Sequence, residues 1–253
     1  MVKDEILYDA RDHVAWVTLN RAQKRNALTQ AGLDTLAASI DQANADDAVW
    51  VIAVQARGSD FCIGQDIEDL DRSDRKGDFF APVLRALDRT VKPVVCAARG
   101  ELRGGGAGIL LGADIRIIDR NARIGWLHAR MGIASISGPA TLARSVPKNI
   151  AYEMMFTCDY LDAARAHALG LVNHVVDDSA VEAKCEELVA KVIANAPLAI
   201  QAMKHATQAT RDLPYDGAVA QARAILGRVM DTEDAKEGLR AMREGRPPQW
   251  RGR

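Results

Sequence analysis

The sequence lacks the marks of several large protein classes. Its four cysteines, Cys62, Cys96, Cys158 and Cys185, stand far apart and form no C-x-x-C pair. That argues against a zinc site or a disulfide framework, so no metal is expected, and it suits a reducing compartment. No apolar run reaches the roughly 18 residues needed to span a bilayer. The opening stretch MVKDEILYDARDH has no apolar core and turns acidic early, so it reads as neither a signal nor a transit peptide. Nor is there an excess of one charge: the formal net charge is −1. Nothing global therefore recruits nucleic acid or an anionic membrane. These absences predict a soluble, cytoplasmic protein.

What is present is an ordinary globular balance, 48% apolar and 26% charged over 253 residues, enough for one large domain or two small ones. EILYDA and VAWVTLN, around a polar RDH turn, predict a β-hairpin. LTQAGLDTLAASIDQANAD has helical spacing of Leu33, Leu36, Ala37 and Ile40, with Thr29 as N-cap. VWVIAVQA, KPVVCAA (92–98) and ADIRIID (113–119) are short, continuous, β-branched runs of the kind found in buried strands, and LVNHVV (171–176) is a shorter fourth. Helix-like segments such as FFAPVLRALDRTV lie between them, which predicts an α/β core with parallel strands. After residue 178 four helical stretches follow one another, broken at Pro197, Pro214 and Asp231–Thr232. No Gly/Ser/Pro-rich linker intervenes. The expected organisation is one structural domain, with an α/β core over 1–178 and an all-helical subdomain over 179–253.

ELRGGGAGILLGADI, residues 101–115, places three consecutive glycines at the head of an apolar run. A dinucleotide fingerprint from Gly104 would need glycine where Ile109 stands, and the acidic partner about 20 residues on is missing. A P-loop needs a lysine that is absent here, and GIASISG does not supply a G-x-S-x-G nucleophile elbow. One physical reading is that Gly104–Gly106 open a helix whose first N–H groups are unpaired and positive. Those groups would reach a carbonyl oxygen as it gains charge, forming an oxyanion hole. The alternative is that the glycines only permit tight helix–strand packing. A second loop, GSDFCIGQDIEDL at 58–70, leaves the strand VWVIAVQA and puts Gly64 before Gln65 and Asp66. Two such loops at the ends of parallel strands can each offer one backbone donor to a single oxygen.

At these residues the chain resembles the crotonase superfamily, the enoyl-CoA hydratase/isomerase family. LNRAQKRNAL resembles L-N-R-P-x-x-x-N-A-L, with Ala22 in place of proline. FCIGQDIEDL resembles F-x-A-G-A-D-[IL], and ARGELRGGGAGILLGADI resembles N-G-x-x-x-G-G-G-x-x-L-x-x-x-C-D. YLDAARAHALGLVNHVV and the ending TEDAKEGLRAMREGRPPQWRGR complete five matches in order over nearly the whole length. The resemblance implies a spiral of ββα turns with a helical C-terminal trimerisation subdomain, assembled as a homotrimer or a dimer of trimers. It implies an acyl-CoA thioester as substrate, with CoA entering as part of that substrate and no separate cofactor. It also implies an oxyanion hole from the backbone amides of Gln65 and Gly105. By position it assigns Ile63 to the adenine and Lys24, Arg25 and Arg246 to the CoA phosphates, although these three are equally well read as solvated charge.

The chain departs from that family where the chemistry lies. Hydratases of the family use two glutamates to add water across a double bond; at the matching positions this chain has Gly108 and His128. Fold membership therefore does not deliver the reaction. His128, with an ordinary pKa of about 6.5, suits a general base at neutral pH. Ser135 and Ser137, in a segment that also differs from the family, are candidates to face the substrate, directly or through a water. Trp126 is either core or a wall of the acyl pocket, while Glu101, Glu68 and Asp69 read as loop-surface charges. Three readings stay open: an enoyl-CoA hydratase-like lyase or isomerase that stabilises an enolate; a C–C hydrolase using His128 as base; and a non-catalytic acyl-CoA-binding protein.

Overall fold

The computed structural model describes residues 4–72 and 79–253. β1 (Ile6–Arg11) and β2 (Val14–Leu19) form the antiparallel hairpin, turning through Asp12 and His13, both with positive φ. α1 (Gln30–Ala45) follows, capped by the Thr29 hydroxyl, which accepts from the Gly32 amide. The chain continues through β3 (Val51–Ala56), α2 (Ile67–Arg72), α3 (Ala81–Arg89), β4 (Val94–Ala98) and β5 (Glu101–Arg103). Then come α4 (Gly105–Leu111), β6 (Ile115–Asp119), β7 (Arg123–Gly125), a π-helical turn over Gly138–Leu142, α5 (Ala143–Ser145) and α6 (Lys148–Thr157). β8 (Leu161–Asp162), α7 (Ala163–Ala168) and β9 (His174–Val176) precede four helices: α8 (Val181–Ile193), α9 (Pro197–Thr210), α10 (Tyr215–Gly227) and α11 (Glu233–Glu244). Among the described residues no helix is long and apolar enough to cross a membrane.

The strands form a six-stranded sheet ordered β1-β2-β3-β4-β6-β9, parallel after the hairpin, and a small sheet ordered β5-β7-β8. Both faces of the large sheet are covered, which is why its strands read as continuous apolar runs. On β4, Cys96 and Ala98 face the main core, where α1 buries Leu33, Leu36 and Ile40. Val95 and Ala97 face the other way, onto Val181, Cys185 and Val189 of α8. The first C-terminal helix thus lies directly on the sheet.

Successive turns repeat strand, short strand, helix: β4-β5-α4 is one such turn. The turn before it runs β3, then the Cys62 bridge to Leu102, then α2. That parallel bridge sets the two glycine-containing loops side by side.

Ion pairs brace these loops. Arg25 Nε donates to Asp60 at 2.8 Å, and Asp60 also accepts from the Glu101 amide at 2.8 Å. Glu101, expected at the loop surface, is instead buried, ion-paired with Arg25, Arg103 and Arg123 and bonded by the Tyr160 hydroxyl. Burial opposes its charge, but these cations outweigh that and hold its pKa down. The Arg25 hydrogen bond holds the Asp60 pKa at about 2. A depressed carboxylate contributes stability above its unfolded pKa and loses it as pH falls through the folded value. Asp60→Asn should therefore cost about 1 kcal/mol at neutral pH once screening of the half-exposed Arg25 is allowed for. It should also flatten the loss of stability between pH ~4 and ~2; urea titrations across that range read both effects.

Candidate active site

The N-terminal motif shapes the first donor loop. Asn26, buried with φ +54°, accepts from the Arg21 amide at 2.8 Å and donates to the carbonyls of Arg57 (2.9 Å) and Asp60 (2.8 Å). Arg21 donates to the Ala27 carbonyl at 2.8 Å and pairs with the buried Asp66. Burial is the largest influence and disfavours the Asp66 charge, but the hydrogen bond and charge of Arg21 and the Glu68 and Asp69 amides together outweigh it, so its pKa lies below the usual range. Asp66 also accepts from the Glu68 amide at 2.9 Å, capping the start of α2.

The geometry of one amide follows. The Leu28 amide donates to the Gly64 carbonyl and its carbonyl accepts from Asp66, each at 2.9 Å. Gln65 lies between these two anchored groups, so its own N–H points to the opposite side of the strand. Gly64 has φ +102°, a conformation that excludes side chains with a Cβ.

The second loop shows why three glycines are consecutive. A Cβ on Gly104, at φ +50°, would fall 2.6 Å from the His128 ring. One on Gly105 would fall 2.2 Å from Phe80, and one on Gly106 would fall 2.2 Å from the Cys62 carbonyl oxygen. Three neighbours on three sides thus require glycine, so tight packing and a donor role are not alternatives. The Gly104 amide bonds the Gly125 carbonyl at 2.9 Å, and the Gly108 amide bonds that of Gly104 at 2.9 Å. Gly105, first residue of α4, and Gln65 have no such bond among the described residues. Each stands three residues beyond a member of the Cys62–Leu102 bridge, so the two unspent amides occupy the same register position on adjacent turns.

Both loops open onto a pocket of about 520 Å³. Gln65, Gly105 and His128 line it together, and so do Lys24, Ile63, Ser135 and Ser137. Arg25 and Arg246 do not. Arg25 is engaged with Asp60 and Glu101, while Arg246 sits in a separate depression near the C-terminus, paired with Glu237 and Glu244. Glu68 is at the rim, 3.3 Å from Lys24 and exposed, and Asp69 accepts from the Gln30 amide at 2.7 Å.

His128 starts a single helical turn after β7, and burial lowers its pKa. Burial thus favours the neutral imidazole, the form able to accept a proton. Its Nδ1 is buried without a partner among the described residues. Burial also pushes the Cys62 thiol up to about 12, which leaves it inert behind the loop. Gly108 faces Leu84 and Ser137, at 3.3 and 3.4 Å from a built Cβ. Trp126 belongs to the core rather than the pocket wall; it is 1% exposed, and its indole donates to Ser137 Oγ at 3.3 Å.

Sequence reasoning missed Phe80, Leu84 and the Trp126–Ser137 bond. Nothing in FFAPVLRALDRTV beyond a helical period marks which of its residues meets the glycines.

Comparison with known proteins agrees with this architecture. A family model described as enoyl-CoA hydratase/isomerase matches residues 9–253. The chain is 30% identical to (E)-benzylidenesuccinyl-CoA hydratase of Thauera aromatica, covering 98% of this chain and 99% of that one. It is 31% identical to enoyl-CoA hydratase EchA19 of Mycobacterium tuberculosis, over 98% and 97% of the two chains. Among solved structures, enoyl-CoA hydratase EchA1 from Mycobacterium marinum superposes with a TM-score of 0.92 at 31% identity, covering 99% of this chain and 100% of that one. The fold and the paired loops define a crotonase-type protein. The chain belongs to the enoyl-CoA hydratase/isomerase family.

Proposed function

We propose that the protein acts on an acyl-CoA thioester by forming and quenching its enolate. The Gln65 and Gly105 amides hold the thioester oxygen, and His128 carries the proton. The supporting observation is the pairing of two unspent amides in register, beside a neutral, half-buried histidine, in one pocket. His128 takes a proton from Cα, the C–H electrons move onto the thioester oxygen, and the imidazolium returns the proton to carbon. One oxyanion donor of this kind is worth roughly 2.7–4 kcal/mol. Incubating the protein with a panel of acyl-CoAs in D₂O should introduce deuterium at Cα, read by mass spectrometry. Binding without exchange or product from any acyl-CoA would instead mark a binding protein.

The absence of carboxylates at 108 and 128 sets this reading apart from straightforward hydration. Crotonyl-CoA should be hydrated poorly by the parent. The double variant Gly108→Glu/His128→Glu should hydrate it at least ~10²-fold faster, since each positioned acid or base contributes about 10²–10⁴. A Cβ at 108 meets only side-chain atoms that can yield.

Exposed apolar residues on the C-terminal helices, among them Tyr215 (82% exposed) and Met242 (80%), support assembly of a homotrimer or a dimer of trimers. A cytoplasmic location rests on the scattered, unpaired cysteines.

A further inference from the structure

We propose that the inner end of the pocket is a hydrogen-bond donor site for an oxygen on the acyl group. The substrate would then be an acyl-CoA whose chain carries a carboxylate or keto oxygen beyond the thioester. This rests on reading the pocket as an acyl-CoA site.

Counting protons leads there. Indole N–H is a donor only, so its contact at 3.3 Å makes Ser137 Oγ the acceptor. The Gly138 amide likewise donates to Ser135 Oγ at 3.0 Å. The two hydroxyl oxygens are 3.2 Å apart, so one O–H is spent between them. Each hydroxyl has one proton and two lone pairs. If Ser137 donates to Ser135, then Ser135 accepts twice and its own proton is free. If Ser135 donates to Ser137, then Ser137 accepts twice and its proton is free. In both arrangements one O–H remains, on an oxygen whose two lone pairs are already occupied. That oxygen can only donate, while the other serine keeps one open lone pair, so the pair offers a ligand one donor and one acceptor position. Both serines line the pocket, so the free proton has an acceptor position there.

The surroundings favour an acceptor ligand too. The side-chain amide nitrogen of Gln65, another residue of this lining, is buried without a partner among the described residues. A buried donor left unpaired costs roughly 1–3 kcal/mol, which an oxygen-bearing ligand would recover. Nearby acids do not compete for these donors: Asp66 is held by Arg21, and Glu68 lies on the exposed rim with Lys24. The distance also fits. Ser137 packs beside Gly108, and Gly105 to Gly108 is three residues of helix, a rise of roughly 4.5 Å or three to four carbon–carbon bonds. An oxygen at about the fourth carbon of the acyl chain would therefore meet the hydroxyl while the thioester oxygen meets the Gly105 amide.

Calorimetric titration of the full-length protein with butyryl-CoA, 4-oxopentanoyl-CoA and succinyl-CoA tests this. At least one of the two oxygenated ligands should bind about tenfold more tightly than butyryl-CoA, and the better one identifies keto or carboxylate. Ser135→Ala and Ser137→Ala should erase that preference and bring the three affinities within about twofold. Trp126→Phe, which keeps both hydroxyls but releases a lone pair on Ser137, should weaken it. Equal affinities in the parent, or a preference that survives both serine substitutions, would overturn the proposal. The parent comparison decides the matter even if a variant fails to fold. If none of the three ligands binds, the acyl-CoA reading falls and this inference with it, whereas equal binding of all three defeats this inference alone.

Discussion

His128→Ala should reduce turnover of the acyl-CoA substrate by about 10²–10⁴, the usual contribution of a positioned proton carrier. KM should change little, because in the proposed mechanism the thioester oxygen is held by backbone amides that the substitution leaves in place. The pH profile separates a chemical role from a structural one. Burial lowers the His128 pKa, so the neutral, proton-accepting form persists below the ordinary value near 6.5. The kcat/KM profile should then be level through neutrality and fall only on the acid side, as the imidazole protonates. In the variant that acid limb should disappear along with the activity. Unchanged turnover in the alanine variant would remove His128 from the mechanism, and an acid limb centred above 6.5 would contradict the neutral, buried imidazole.

Gly106→Ala is expected to damage both stability and activity. Its Cβ would fall 2.2 Å from the Cys62 carbonyl oxygen and 2.8 Å from the Cys62 Cβ. The obstacle is mainly backbone, and that carbonyl accepts from the Arg103 amide at 3.0 Å in the bridge joining the two loops. Relief therefore means moving one turn of the spiral away from the next. Overpacking of this kind costs about 1–3 kcal/mol, read as a lower denaturation midpoint. The same displacement separates the Gln65 and Gly105 amides, so kcat should fall by the ~10²–10³ typical of a lost oxyanion donor. A folded variant with full kcat would show that the two amides do not act as a pair. Gly108→Ala is the control: its Cβ meets side-chain atoms of Leu84 and Ser137, at 3.3 Å and beyond, with no backbone in the way, and both the fold and the amide pair should survive.

Much of the fold was legible because burial on both faces leaves a local signature. The parallel strands read as β-branched runs, and α1 showed both its cap and its apolar period. The glycine loops and the asparagine–arginine motif were visible as patterns, although their purposes were not. Asn26 and Arg21 act on Asp60, Asp66 and Arg57, 31 to 45 residues away, and no local rule connects them. The burial of Glu101 is likewise invisible to local rules. A carboxylate in a Gly-rich loop looks solvated until three arginines from separate segments converge on it.

The sequence by itself determined the strands of the large sheet, the longer helices, the run of glycines at 104–106, and the identities of Gly108 and His128. These follow from residue identity and short-range spacing. The tertiary structure alone decided which groups meet. The Cys62–Leu102 bridge matches the Gln65 amide to the Gly105 amide, and Phe80 covers the middle glycine. Trp126, buried in the core, donates to one member of a serine pair that the chain places 9 and 11 residues later. Register between turns and hydrogen-bond direction are set by contacts between segments, and those exist only once the spiral has closed.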